Sequence, residues 1–142
     1  MTQIPNFATV DFAEASAQGH SDAAPSWLTP EGLLLVSLPN IANISVRAGL
    51  LLGHFRYTER GILDRTHLRF FTRRTFVAFL RSAGLALDEL HVTPVPLPLV
   101  VPARWHGACL RGLHRLSARA ARIWPGGLAY QFVAVCRLTG AA

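Results

Sequence analysis

Lysine is absent from this 142-residue chain, so all 14 basic residues are arginine. That usage reflects genome composition as much as function. Cysteine is nearly absent too. Cys109 and Cys136 stand far apart, without the close spacing of a metal-binding pair. They read as two buried free thiols in a reducing compartment, which gives a cytoplasmic expectation. Long apolar runs are missing. No stretch approaches the ~20 residues that span a bilayer, and the richest run, residues 94–103, is broken by Pro94, Pro96, Pro98 and Pro102. Residues 1–24 lack the basic start and apolar centre of a secretory signal. Glycine is scarce early in the chain, with only Gly19 and Gly32 before Leu33.

What is present is apolar and cationic. The hydrophobic fraction is 51% against 15% charged, which argues against overall disorder. The formal charge is +6 and the pI is near 11.0, which favours an anionic partner such as nucleic acid, a phospholipid surface or a phosphorylated substrate. The length suits one domain or part of one.

Residues 1–27 differ in composition from the rest: Ala- and Ser-rich, with Asp11, Glu14 and Asp22 and no Arg. They read as a poorly ordered lead with a short helix near residues 11–18, ahead of a domain over residues 28–142. A turn at residues 28–32 leads into LLLVSL at 33–38, a run suited to a strand buried on both faces and ended by Pro39. A short helix follows over 44–52, with Ile44, Ala48 and Leu51 on one side, a cap at Asn43 or Ser45, and Gly53 closing it. The clearest helix runs over 72–83. Thr72 caps it, Phe76, Phe79, Leu80 and Ala83 form its stripe, and Gly84 ends it. Residues 85–93 read as a strand, which from this order predicts a parallel pair with 33–38. A Pro-rich extended loop at 94–102 precedes a long helix over 103–123. Trp105, Cys109, Leu113, Leu116, Ala120 and Ile123 fall on one side of it, and Arg104, Arg111, Arg115, Arg119 and Arg122 on the other. The last strand is 128–138.

Residues 53–72, GHFRYTERGILDRTHLRFFT, show no period that would bury one clean face. Arg56, Arg60, Arg65 and Arg69, with Arg73 just beyond, alternate with His54, His67, Phe55, Tyr57, Phe70 and Phe71. Ordering so many guanidinium, imidazole and aromatic groups is costly unless an anionic or planar group lies against them. The segment reads as a substrate-facing loop. His67 with Asp64 three residues earlier fits a general base and its orienting acid. It also fits a turn in which Asp64 caps and His67 bonds the backbone. Arg65 and Arg69, with Arg56 and Tyr57 beside them, fit a clamp on phosphate or carboxylate, or ion pairs with Glu59 or Asp64. Asn40, just past a buried strand's carboxyl end, fits a ligand contact or an Asx-turn.

Together, the SLPN strand end, the YTERGILDRTHLRFFT segment and the terminal AYQFVAV strand make the chain similar to class I S-adenosylmethionine-dependent methyltransferases over residues 28–138. The resemblance implies the carboxyl half of that α/β fold: a partial Rossmann-like sheet of about three strands, the last antiparallel and lying between the other two, with two or three helices. It implies S-adenosylmethionine as methyl donor and a small or glycan-like acceptor, with transfer to oxygen or nitrogen. The family's Gly-rich donor turn has no counterpart here, so the expected form is truncated or completed by another chain. Two further expectations follow. The apolar strand at 33–38, lacking a neighbour on one side, is a site for self-association. The alternative to an enzyme is a non-enzymatic basic module, whose Arg-rich loop and helix bind an anionic membrane surface or nucleic acid.

Overall fold

The computed structural model describes residues 7–9, 28–29, 31–65, 67 and 69–139. Strand β1, Phe7–Thr9, comes first, then β2, Leu33–Pro39. Helix α1 is Ile44–Leu51 and α2 is Arg73–Ser82. Strand β3, Leu85–Thr93, is followed by a single helical turn α3, Leu97–Val100, and a 3-10 turn at Ala103–Trp105. Helix α4, Ala108–Ile123, runs into the short α5, Pro125–Leu128, and then β4, Gln131–Leu138.

These elements form a mixed α/β fold on one sheet of order β1-β2-β4-β3. β4 is antiparallel to both β2 and β3, so β2 and β3 run the same way without touching. The parallel pair expected from strand, helix and strand is therefore split by the last strand. β4 supplies Phe132, Ala134 and Cys136 to the core, small and large side chains that fill the centre of the sheet. Asp88 is skipped where the β3 register shifts between Leu87 and Glu89, a bulge that turns its carboxylate to Arg137 at 2.7 Å.

β1 was not foreseen. It pairs in parallel with the start of β2, Phe7 opposite Leu33 and Thr9 opposite Leu35. The outer edge of β2 is thus partly covered, not bare. The helix expected near 11–18 lies outside the described residues. β2 also alternates: Leu34, Val36 and Leu38 are buried, Leu33 and Leu35 are half-buried and Ser37 is exposed. A strand expected to be buried on both faces is covered well on only one.

That covered face meets α2. The α2 stripe predicted from spacing is the one observed, with Phe76 and Leu80 fully buried. Phe76 stacks on Phe132 with ring centroids 6.0 Å apart. The helix starts where expected because Thr72 and Thr75 cap each other's backbone. Thr75 N donates to Thr72 Oγ1 at 3.3 Å and Thr72 N to Thr75 Oγ1 at 2.9 Å. Gly84 ends it at φ +70°, a left-handed conformation that side chains resist.

The other helices depart from expectation. α1 buries Val46, while Ile44, Ala48 and Leu51, expected to face inward, are exposed. The Pro-rich segment is not wholly extended, since it contains α3. The predicted helix from 103 is interrupted at His106–Gly107 and begins anew at Ala108. Trp105 is consequently outside α4. α4 turns Ala121 to the fold, with Leu110, Ser117 and Ala118 half-buried on that side. Of its predicted apolar stripe, Cys109, Leu113, Leu116 and Ile123 are exposed and Ala120 is half-buried. No helix among the described residues is long and apolar enough to cross a membrane.

Candidate functional site

The carboxyl ends of β2 and β3 meet the start of β4 at one rim. Asn40 N donates to Tyr130 O at 2.9 Å and Tyr130 N donates to Thr93 O at 2.8 Å. Loops and helix starts gather at such a rim, and in open α/β sheets ligands collect there. Here α1 and the 53–72 loop lean together and leave a cleft of about 230 Å³. Ser45 and Gly49 of α1 line one wall, and His54, Thr58, Ile62 and Leu63 the other, with Tyr130 at the base.

Two backbone devices build the loop wall. Gly53, at φ +73°, reverses the chain after α1, and His54 N donates back to Gly49 O at 2.7 Å. Thr58 then closes a small lobe. Its N–H donates to Leu63 O at 2.8 Å, its carbonyl accepts from Arg65 N at 3.1 Å, and its hydroxyl donates to Arg60 O at 2.8 Å. Ile62 is buried beneath this lobe. Gly61 is at φ +108°, and a Cβ there would come within 3.1 Å of the Tyr130 hydroxyl. Burial raises the Tyr130 phenol above its ordinary pKa, and the Asp64 carboxylate raises it further. At neutral pH the phenol is a hydrogen-bond donor.

The residues singled out from sequence are placed around this cleft unequally. Asp64 is close enough to act on Tyr130 and bridges Thr58. His67 is not among the cleft's lining residues; its backbone N–H donates to Asp64 O at 3.2 Å, and its Nδ1 is buried without a hydrogen-bond partner among the described residues. His54 lines the cleft instead. Arg56, Arg65 and Arg69 are exposed, and no salt bridge among the described residues involves them. Tyr57 is half-exposed, edge-on to Phe55 at 5.3 Å and tilted against Phe70 at 6.3 Å. Phe71 packs on Phe76 and Phe79 at the edge of the core.

Asn40 turns its side chain to the protein's own backbone. It is fully buried, and its Nδ2 donates to Ala129 O at 2.9 Å, with longer contacts to Gly126 O and Pro125 O. Its Oδ1 accepts from Ala42 N at 3.0 Å, an Asx-turn. Both polar atoms of the Asn40 side chain are used on the protein's own backbone, as in the Asx-turn reading of this residue. Sequence reasoning passed over His54 and Tyr130. The signal for Tyr130 was its place one residue before a strand in the AYQF motif.

A second cleft of about 380 Å³ lies away from this rim, between Pro98 of α3 and the start of α4. His106, Leu110, Arg111, His114 and Arg115 line it, and His114 Nδ1 is buried without a partner among the described residues. No group of three His, Cys, Asp or Glu that could hold a metal occurs among the described residues.

Comparison of the chain with protein-family models and with curated proteins finds no match.

Proposed function

We propose that this chain is the acceptor-side half of an S-adenosylmethionine-dependent methyltransferase. The observation that carries the reading is the antiparallel β4 between two co-directional strands, with a cleft at their carboxyl rim walled by the Arg-rich loop.

The methyl donor itself does not fit the residues described. A nucleoside-bearing donor needs an open, Gly-rich turn and a carboxylate for its ribose. The cleft's lining carries no carboxylate. Its one glycine, Gly49, already faces His54 O, 3.2 Å from where a Cβ would stand. No step is therefore routed through the donor.

What this half does is hold an acceptor. The cleft takes a small hydroxyl- or amine-bearing group, such as one end of a sugar. The Tyr130 phenol donates to it, and His54, on the loop wall, supplies the imidazole that takes its proton. Arg56, Arg65 and Arg69, exposed on the same loop, attract an anionic acceptor to the rim. Positioning of this kind supplies much of the rate in a transfer between two bound reactants.

The test is a backbone-amide NMR titration of the full chain with S-adenosylmethionine and, separately, with neutral and phosphorylated sugars. Shifts centred on Gly49, His54, Thr58 and Tyr130 with a sugar support the reading. No shift there with any sugar overturns it. Tight, saturable donor binding would overturn the assignment of these residues to one half only.

A further inference from the structure

A helix that packs only on its own fold needs one apolar stripe, and α4 carries two. At about 100° per residue, Leu110, Ser117 and Ala121 form the strip turned to the sheet. Cys109, Leu113, Leu116 and Ile123 form another, roughly a quarter-turn or more away, and it is open. Leu113 is 52% exposed, Leu116 63% and Ile123 85%. Arg119 borders this open strip, and Arg115, Arg122 and Arg111, all exposed, continue a cationic band further round the helix, with Arg111 and Arg115 reaching the second cleft. Trp105 and Trp124, at 66% and 49% exposure, stand just before and just after the helix.

We propose that this face of α4 docks the protein on the surface of an anionic lipid bilayer. Leu113, Leu116 and Ile123 enter the acyl boundary, while the arginines reach lipid phosphates. The helix has 16 residues, so it lies about 24 Å long in the plane of the interface. Its flanking tryptophans are of the type that settles at the headgroup level.

Charge decides between this occupant and others. Residues 90–142 contain no Asp or Glu, while Arg104, Arg111, Arg115, Arg119, Arg122 and Arg137 all fall there. Two copies joined along this strip would bring their arginine bands together with no acid on either helix to offset them. A nucleic acid would meet the arginines but leave the leucines and Ile123 in water. An anionic bilayer matches both bands at once, since its phosphates take the guanidinium groups and its hydrocarbon takes the strip. This inference stands independently of the methyl-transfer reading.

The experiment is co-sedimentation of the full chain with phosphatidylcholine vesicles and with vesicles that also contain phosphatidylglycerol, followed by tryptophan emission. Binding to the anionic vesicles alone is expected, with a blue shift and with loss at high salt. Leu113→Gln with Leu116→Gln weakens it by about tenfold or more. Arg115→Gln and Arg119→Gln weaken it by roughly fivefold each. All four positions are exposed, so circular dichroism of the variants should match the parent. Equal binding to both vesicle types, or variants that bind as the parent does, would overturn the proposal. So would a concentration-dependent increase in mass, without vesicles, that Leu116→Gln abolishes.

Discussion

The side-chain amides of Asn40 and Asn43 converge on one acceptor: both donate to the Ala129 carbonyl, at 2.9 and 2.8 Å. The two residues thereby tie the end of β2 and the start of α1 to the turn that launches β4. Asn43 also caps α1, its Oδ1 accepting from Ser45 N at 3.0 Å and from Ser45 Oγ at 2.8 Å. Both side chains are buried, so truncation leaves backbone groups without partners and without water. Asn40→Ala should cost about 2–3 kcal/mol, and Asn43→Ala a similar amount from the lost bond and the lost cap. Urea unfolding reads both. The two should be non-additive, because they share an acceptor. An unchanged midpoint for Asn40→Ala would show that the turn at 125–129 holds without it.

Thr72→Ala removes one side of the reciprocal cap on α2. The expected loss is about 1 kcal/mol, seen as a lower thermal midpoint. Thr72→Ser keeps the acceptor and should recover most of it.

The two thiols should behave differently. Cys109 is exposed and Cys136 is buried at the centre of β4. A thiol reagent should label Cys109 in the native protein and both residues only after unfolding. Burial, with the Asp88 charge as a smaller cause, pushes the Cys136 thiol up from 9.0 to about 11. An acid whose folded pKa is raised holds its proton more tightly when folded. Its contribution is complete below pH 9.0 and is lost as pH rises through about 11. Tyr130, raised above 10.0, adds to the same alkaline decline. Unfolding free energy measured across this range should fall, and Cys136→Ala should flatten the early part of the fall. A flat alkaline profile for the parent chain would contradict the burial of both groups.

β1 covers only Leu33–Leu35 of β2 along that edge. Past the end of β2, Asn40 bridges Phe71 and Ile41 N donates to Phe71 O at 3.0 Å, so the stretch at residues 36–38 between these two contacts has no strand partner there among the described residues. Sedimentation velocity at micromolar concentration should show self-association through this edge. A monodisperse monomer would mean that the edge is protected.

The sequence was most legible where a local rule sufficed. The Thr72 cap, the Phe76–Leu80 stripe and the Gly84 stop are decided within one or two helical turns. The α2 bounds followed from them to within a residue. The 53–72 loop was recognisable because its guanidinium and aromatic groups fit no buried face. Which of its two imidazoles would line a cleft was not recognisable. That depends on where Gly53 reverses the chain and on the lobe closed by Thr58 and Leu63, contacts that no spacing records.

By itself, the sequence determined the cationic, lysine-free surface, the helix caps and the strands that could form a sheet. Only the tertiary structure decided which faces those elements bury. β4 enters between β2 and β3, so the Asn40 amide meets the 125–129 turn. α4 has two apolar strips and the sheet has room for one, so Ala121 goes in while Leu113, Leu116 and Ile123 stay out. Periodicity shows that a helix has an apolar side. When two sides qualify, the narrower and smaller one fits closest to a sheet, and that choice depends on a neighbour distant in the chain.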